Sequence, residues 1–238
     1  MDINRLNKPH EIDVLLANKV AEMIANKPTI NLGLATGSTY INFYKACVEQ
    51  LNTQSIEVSQ LQTFNLDRYF DQTVDDDSSF EAFMHTHFFD PLNLNPTQTH
   101  FPYIEQESDT GKYDQLIDQA GGLDVILLGI GVNAHIAFNE PGTPFTSKTH
   151  RITLADSTIE TNKEFFTTHE SMPKEAVTMG ISTILSAKKI ILVAKGANKA
   201  QAISDMIHAP ISESVPATAL RLHENVEVYV DEAAGSLI

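Results

Sequence analysis

Leu123-Asp124-Val125-Ile126-Leu127-Leu128-Gly129-Ile130-Gly131 is an apolar run with one charge near its start and glycines at its end. A strand with one wet face would alternate polar and apolar residues, so this one is read as buried on both faces, as in a parallel sheet covered by helices. Similar short runs stand at residues 29–35, 61–66, 190–194 and 226–230. Between them, apolar residues recur at helical spacing: Ile12, Leu15, Leu16, Val20, Met23 and Ile24, then Ile41, Tyr44, Cys47, Val48 and Leu51. Ser78 or Ser79 caps a helix carrying Phe80, Phe83, Met84 and Phe88, and Pro173 starts one through Val177, Ile181, Ile184 and Leu185. A last helix carries Ala200, Ile203, Met206 and Ile207. This alternation predicts an α/β fold: an open, doubly wound, mostly parallel Rossmann-like sheet with helices on both faces, formed by residues 1–238 as one domain.

Charge narrows the function. Against 31 acidic residues stand 16 Lys and Arg, a formal net charge of −15, which excludes a nucleic-acid partner held by a broad basic face. No apolar stretch approaches the ~20 residues of a membrane span, so no membrane partner is expected. The single Cys47 rules out an internal disulfide, and residues 1–11 are polar, which points to the cytoplasm. Asp75-Asp76-Asp77 reads as a solvated loop. His85 and His87 lie two apart on a helix and so point apart; they are read as surface or packing histidines, and no metal is assigned.

In open parallel sheets ligands sit beyond the carboxyl ends of the strands. Four polar clusters occupy such ends: Thr36-Gly37-Ser38-Thr39, Asn65-Leu66-Asp67-Arg68-Tyr69, residues 129–140, and Lys195-Gly196-Ala197-Asn198-Lys199. The first offers backbone N–H groups and hydroxyls to an anion at a helix N-terminus. Lys199 near a helix start opposes the dipole unless an anion is close. In the third, His135 can exchange protons with a substrate oxygen, and Glu140 can fix its tautomer. Asp67 is a possible general base.

At these residues the sequence resembles the glucosamine-6-phosphate deaminase/isomerase family, through Thr-Gly-Ser-Thr, Asn-Leu-Asp and His135-Ile136-Ala137-Phe138-Asn139-Glu140-Pro141-Gly142. The likeness continues to Val215-Pro216-Ala217-Thr218-Ala219-Leu220. It implies conversion of glucosamine or galactosamine 6-phosphate to the ketose 6-phosphate and ammonia, without a cofactor. His135 would open the ring, oriented by Glu140 and Asn133; Asp67 would move the proton from C2 to C1; Thr36, Gly37, Ser38, Thr39 and Lys199 would hold the phosphate. Two other functions stay open: a lactone hydrolase of the 6-phosphogluconolactonase kind, and a sugar-phosphate sensor without turnover.

Three positions depart from the family pattern. Arg68 stands for an acidic residue, Glu164 for an arginine that many glucosamine-type members use for phosphate, and Tyr40 for a proline. Arg68 and Glu164 either compensate each other or mark a changed substrate or a lost activity. Arg68 need not touch the site, because neighbouring strand residues face opposite sides. The stretch His150-Arg151-Ile152-Thr153 is a poor match to the basic effector site of the family's allosteric members. No such activation is expected, and a monomer is preferred. Residues 142–172, rich in Thr, Ser and Pro, are read as including a cover over the site.

Overall fold

The apolar runs become the centre of a sheet in the computed structural model, which describes residues 1–70, 76, 78–106, 109–155, 158–160 and 173–238. The chain forms β1 (Asp2–Leu6), α1 (Pro9–Asn26), β2 (Asn31–Leu34), α2 (Ile41–Thr53), β3 (Gln62–Asn65), β4 (Asp67–Tyr69), α3 (Phe80–Met84), β5 (Thr99–His100) and α4 (Lys112–Gln119). It continues with β6 (Val125–Leu128), β7 (His150–Thr153), β8 (Glu175–Thr178), α5 (Ile181–Leu185), β9 (Ile190–Ala194), α6 (Ala200–His208) and β10 (Val226–Asp231). Seven strands pair in parallel in the order β1-β10-β9-β6-β2-β3-β5. Every residue of β2, β6 and β9 is buried, and each large aliphatic side chain so placed contributes about 1.5–3 kcal/mol.

Strand order fixes where a ligand can sit. From β2 the chain winds outward through β3 to β5, whereas β6, β9 and β10 build the other side. The direction therefore switches between the neighbours β2 and β6, and the crevice at such a switch is where open α/β sheets bind ligands. The four strands followed by the polar clusters, β9, β6, β2 and β3, are adjacent at the centre of the sheet.

Several local readings need correction. Residues 175–178, expected to be helical after Pro173, form β8, which pairs antiparallel with β4 and β7 in a second, three-stranded sheet. Ala176 packs there with Tyr69, Phe138 and Leu154; the helix starts only at Ile181. The two adjacent apolar residues Ala176 and Val177 fit either period, and tertiary pairing decided. Residues 2–6, read as polar lead-in, form the edge strand β1, which pairs with β10 alone. Leu15, placed on the apolar stripe of α1, is exposed.

Candidate active site

β2 ends at Leu34, and the chain turns at Gly37, whose φ of +98° is natural to glycine. The Tyr40 N–H closes the turn on the Gly37 carbonyl at 3.0 Å, and α2 begins one residue later. The N–H groups of Gly37, Ser38 and Thr39 donate to no acceptor among the described residues. They are orphan donors at the positive end of a 13-residue helix, the arrangement that attracts anions. Thr36, Gly37 and Thr39 line a cavity of about 450 Å³, while Ser38 is exposed and outside its lining. Tyr40, where a proline was expected, is buried, and its hydroxyl donates to the Leu128 carbonyl at 2.8 Å. The tyrosine thus pins the turn to β6.

Lys199 comes from the end of β9 into the same cavity, and burial pushes its pKa below the ordinary lysine value. Lys195, four residues earlier, does not line the cavity. Its ammonium bridges the buried Asp13 carboxylate of α1 and the Thr39 carbonyl, 2.7 Å away. Composition grouped both lysines in one cluster; only their partners separate an anchor from a brace.

Asp67 opens β4 opposite Thr178, and Asp67 and Tyr69 line the cavity, with Arg68 turned to the other face. Arg68 pairs with Glu81 at 3.2 Å and lies over the Tyr103 ring at 5.4 Å. The substituted charge is therefore answered by Glu81, away from the cavity; Glu164 lies outside the described residues. Asp67 is 8% exposed, and its carboxyl accepts no hydrogen bond from a described residue. Burial pushes its pKa up to about 7, in the range that suits a general base at neutral pH.

The loop after β6 holds His135 between two residues with left-handed backbone, Ala134 (φ +63°) and Ala137 (φ +50°). Non-glycine residues adopt this at a cost, usually where a side chain has to be aimed. The imidazole lies flat on Gly131, where an added Cβ would come within 2.2 Å of the ring. Asn133 donates its Nδ2 to Glu140 Oε2 at 2.8 Å, which fixes the amide so that its oxygen faces His135 Nδ1 at 2.7 Å. Glu140 Oε2 is 3.5 Å from the same nitrogen. Both neighbours can only accept, so Nδ1 carries the proton and Nε2 keeps its lone pair. Burial would raise the Glu140 pKa, but the His135 ring beside it and the hydrogen bonds from Thr158 and Asn133 hold it down at about 2. The Thr158 hydroxyl donates to Glu140 Oε1. Asn133 and Glu140 stand behind the imidazole, outside the cavity lining.

The stretch at 215–220 also acquires a place. The Ala217 N–H bonds the Ala134 carbonyl at 2.9 Å, and Glu213 holds the chain after the histidine loop through Gly142 and Phe145. Residues 142–155 are likewise pinned, by bonds such as Thr143 N–H to the Glu140 carbonyl; residues 156–157 and 161–172 lie outside the described residues. Asp76 accepts from Ser78, and Asp75 and Asp77 also lie outside. His85 pairs with Asp90 at the surface, but His87 lines the cavity. Residues 85–89 form a wider π-type turn. No cluster of three metal-ligating side chains exists among the described residues, and none of their helices is long and apolar enough to cross a membrane.

Asp67, His135, Lys199 and the turn at 36–39 thus open into one cavity. A family model described as "Glucosamine-6-phosphate isomerases/6-phosphogluconolactonase" matches residues 9–229. The chain belongs to this family. Within the isomerase/lactonase family it is similar to the glucosamine-6-phosphate deaminase of Clostridioides difficile (strain 630), 44% identical over 93% of this chain and 92% of that one. Glucosamine-6-phosphate deaminase 1 of Bacillus subtilis (strain 168) is 40% identical over 95% of each. A solved monomeric glucosamine-6-phosphate deaminase superposes with a TM-score of 0.96 at 38% identity over the full length of both chains. The 6-phosphogluconolactonase from Trypanosoma cruzi, at 17% identity and a TM-score of 0.79, shares the fold.

Proposed function

We propose that this protein is a glucosamine-6-phosphate deaminase, acting as a cytoplasmic monomer and yielding fructose 6-phosphate and ammonia. The observation that carries the reading is a single cavity holding a carboxyl group poised near neutrality, an imidazole with a free Nε2 and a set of orphan anion donors. Its volume, about 450 Å³, falls in the range of small-ligand sites.

The roles follow from where each group sits. His135 Nε2 takes the proton of the anomeric hydroxyl and returns one to the ring oxygen as the C1–O5 bond breaks, leaving an aldehyde. That carbonyl acidifies the C2–H bond. Asp67 removes the C2 proton and delivers it to C1, and the aldehyde oxygen takes a proton from the C2 nitrogen, so C1 becomes a hydroxymethyl group and the C2 amine an imine. Addition of water to C2 and loss of ammonia give the ketose. Glu140 and Asn133 keep Nδ1 protonated throughout and so keep Nε2 available. Thr36, Gly37, Ser38 through its N–H, Thr39 and Lys199 hold the phosphate, which turns encounter into orientation.

Purified protein given glucosamine 6-phosphate, and separately galactosamine 6-phosphate, is assayed for ammonia and ketose. Release from the first is the expected result. Release from the second alone would change the substrate, and silence with both would remove the reading.

A further inference from the structure

The polar side chains around the cavity sort into two groups. One group is already engaged within the protein: Tyr40 with the Leu128 carbonyl, Ser78 with Asp76, Ser79 with the Ala82 N–H, Thr158 with Glu140, His135 with Asn133, and Tyr69 with the Phe80 and Phe138 rings. Thr36, Thr39, Asp67, Lys199 and His87 bond to no described residue, and Thr86 shares this but is exposed to solvent. The base and the phosphate clamp account for the first four of these. His87 is left over, half-buried and unused.

Its position is built into the fold. Residues 79, 82, 83, 86 and 87 line the cavity at helical spacing, one continuous face along α3 and the turn after it. The His87 ring lies 4.6 Å from Phe83, and Phe83 lies 6.1 Å from Tyr44. The Tyr44 hydroxyl donates to the Ala35 carbonyl at 2.6 Å, one residue before Thr36. This chain of contacts ties the segment bearing His87 to α2, the helix that starts at the anion-binding turn, and both line the same cavity. Charge argues the same way: a protein with net charge −15 needs local positive groups to hold a phosphate dianion. Lys199, His87 and His135 are the only described lining residues able to supply one, and His135 is engaged with Asn133 and Glu140.

We propose that His87 is a substrate-binding residue that donates a ring N–H to a phosphate oxygen, completing the clamp of the turn at 36–39 and Lys199. The assignment rests on the reading that this turn holds the phosphate. His87→Leu and His87→Asn are compared with the unaltered protein in KM and kcat for glucosamine 6-phosphate and in the Ki of inorganic phosphate. Thermal melting establishes that each variant is folded, and the asparagine variant carries the test if the leucine variant melts early. KM and the phosphate Ki are expected to rise together, roughly tenfold for leucine, as on losing one hydrogen bond to a charged group, with kcat within about threefold. A Ki unmoved by either substitution would overturn the assignment, whether KM is unchanged or rises alone. Lys199→Met is measured in parallel: inorganic phosphate that fails to inhibit the unaltered protein, or inhibits Lys199→Met equally well, sinks the clamp itself rather than only His87.

Discussion

Two parts of the cavity lining, the histidine loop after β6 and the turn after β2, are built on opposite plans. Around His135 the polar groups are committed to one another: Asn133 to Glu140, Glu140 to Thr158, Nδ1 to the Asn133 oxygen, and the loop backbone to residue 217. Around the turn at 36–39, three N–H groups, two threonine hydroxyls and the Lys199 ammonium have no protein partner among the described residues. The wired part presents a single nitrogen in a single tautomer, as proton transfer requires. The open part presents many donors and waits for an anion to satisfy them. Asp67, just past the end of β3, is buried and unpartnered among the described residues, and its raised pKa follows from that burial. Preorganisation for chemistry and vacancy for binding are thus separated within one cavity.

If the division is right, substitutions at the wired part and at Asp67 act on turnover. The largest effect is expected from Asp67→Asn, a loss of about 10²–10⁴-fold in kcat with KM little changed. An unchanged rate would refute its role as base. The same substitution stabilises the fold. The folded pKa of about 7 lies above the unfolded value of 3.8, so between those values the native state holds a proton that the unfolded chain has lost. Stability therefore falls as pH rises across that window, and at pH 8 the asparagine variant should gain on the order of 1–4 kcal/mol, read from its urea midpoint.

Glu140→Gln puts an amide where a carboxylate fixed Asn133, which frees the imidazole to change tautomer. A fall in kcat of roughly 10–100-fold is expected, and a variant with full turnover would show that the wiring is structural only. The pH profile gives a third break point. Because Asp67 must be ionised to take the C2 proton, kcat/KM should rise about tenfold per pH unit up to about pH 7 and then level. A profile flat from pH 5 to 8 would contradict the assignment. The smallest effect belongs to Tyr40→Phe, which removes the tie to the Leu128 carbonyl. It should cost about 1–2 kcal/mol in chemical denaturation and leave KM within about threefold.

The central fold was legible because continuous apolar runs have one physical explanation, burial on both faces. The second sheet was not. Glu175–Thr178 is too short to display a period, and its partners lie more than 20 residues away in sequence at 67–69 and 150–153. β1 hid because an edge strand can be polar: Asp2, Ile3 and Arg5 are exposed. In the site, motif residues at strand ends found Asp67, His135 and the anion turn, since topology alone brings those ends together. The sequence placed Arg68 against Asp67 by one residue; the pleat removes it to Glu81. His87 was set aside because two histidines two apart face apart on a helix. They do, and that divergence is what sends one of them to the surface and the other into the cavity.

The separation of chemistry from binding is tested most directly by steady-state kinetics of Asp67→Asn and Lys199→Met side by side on glucosamine 6-phosphate. The account predicts that the first loses kcat at a nearly constant KM, while the second raises KM roughly 10–100-fold with kcat far less affected. Equal losses of kcat in both variants, or a raised KM in the first with kcat intact, would contradict it.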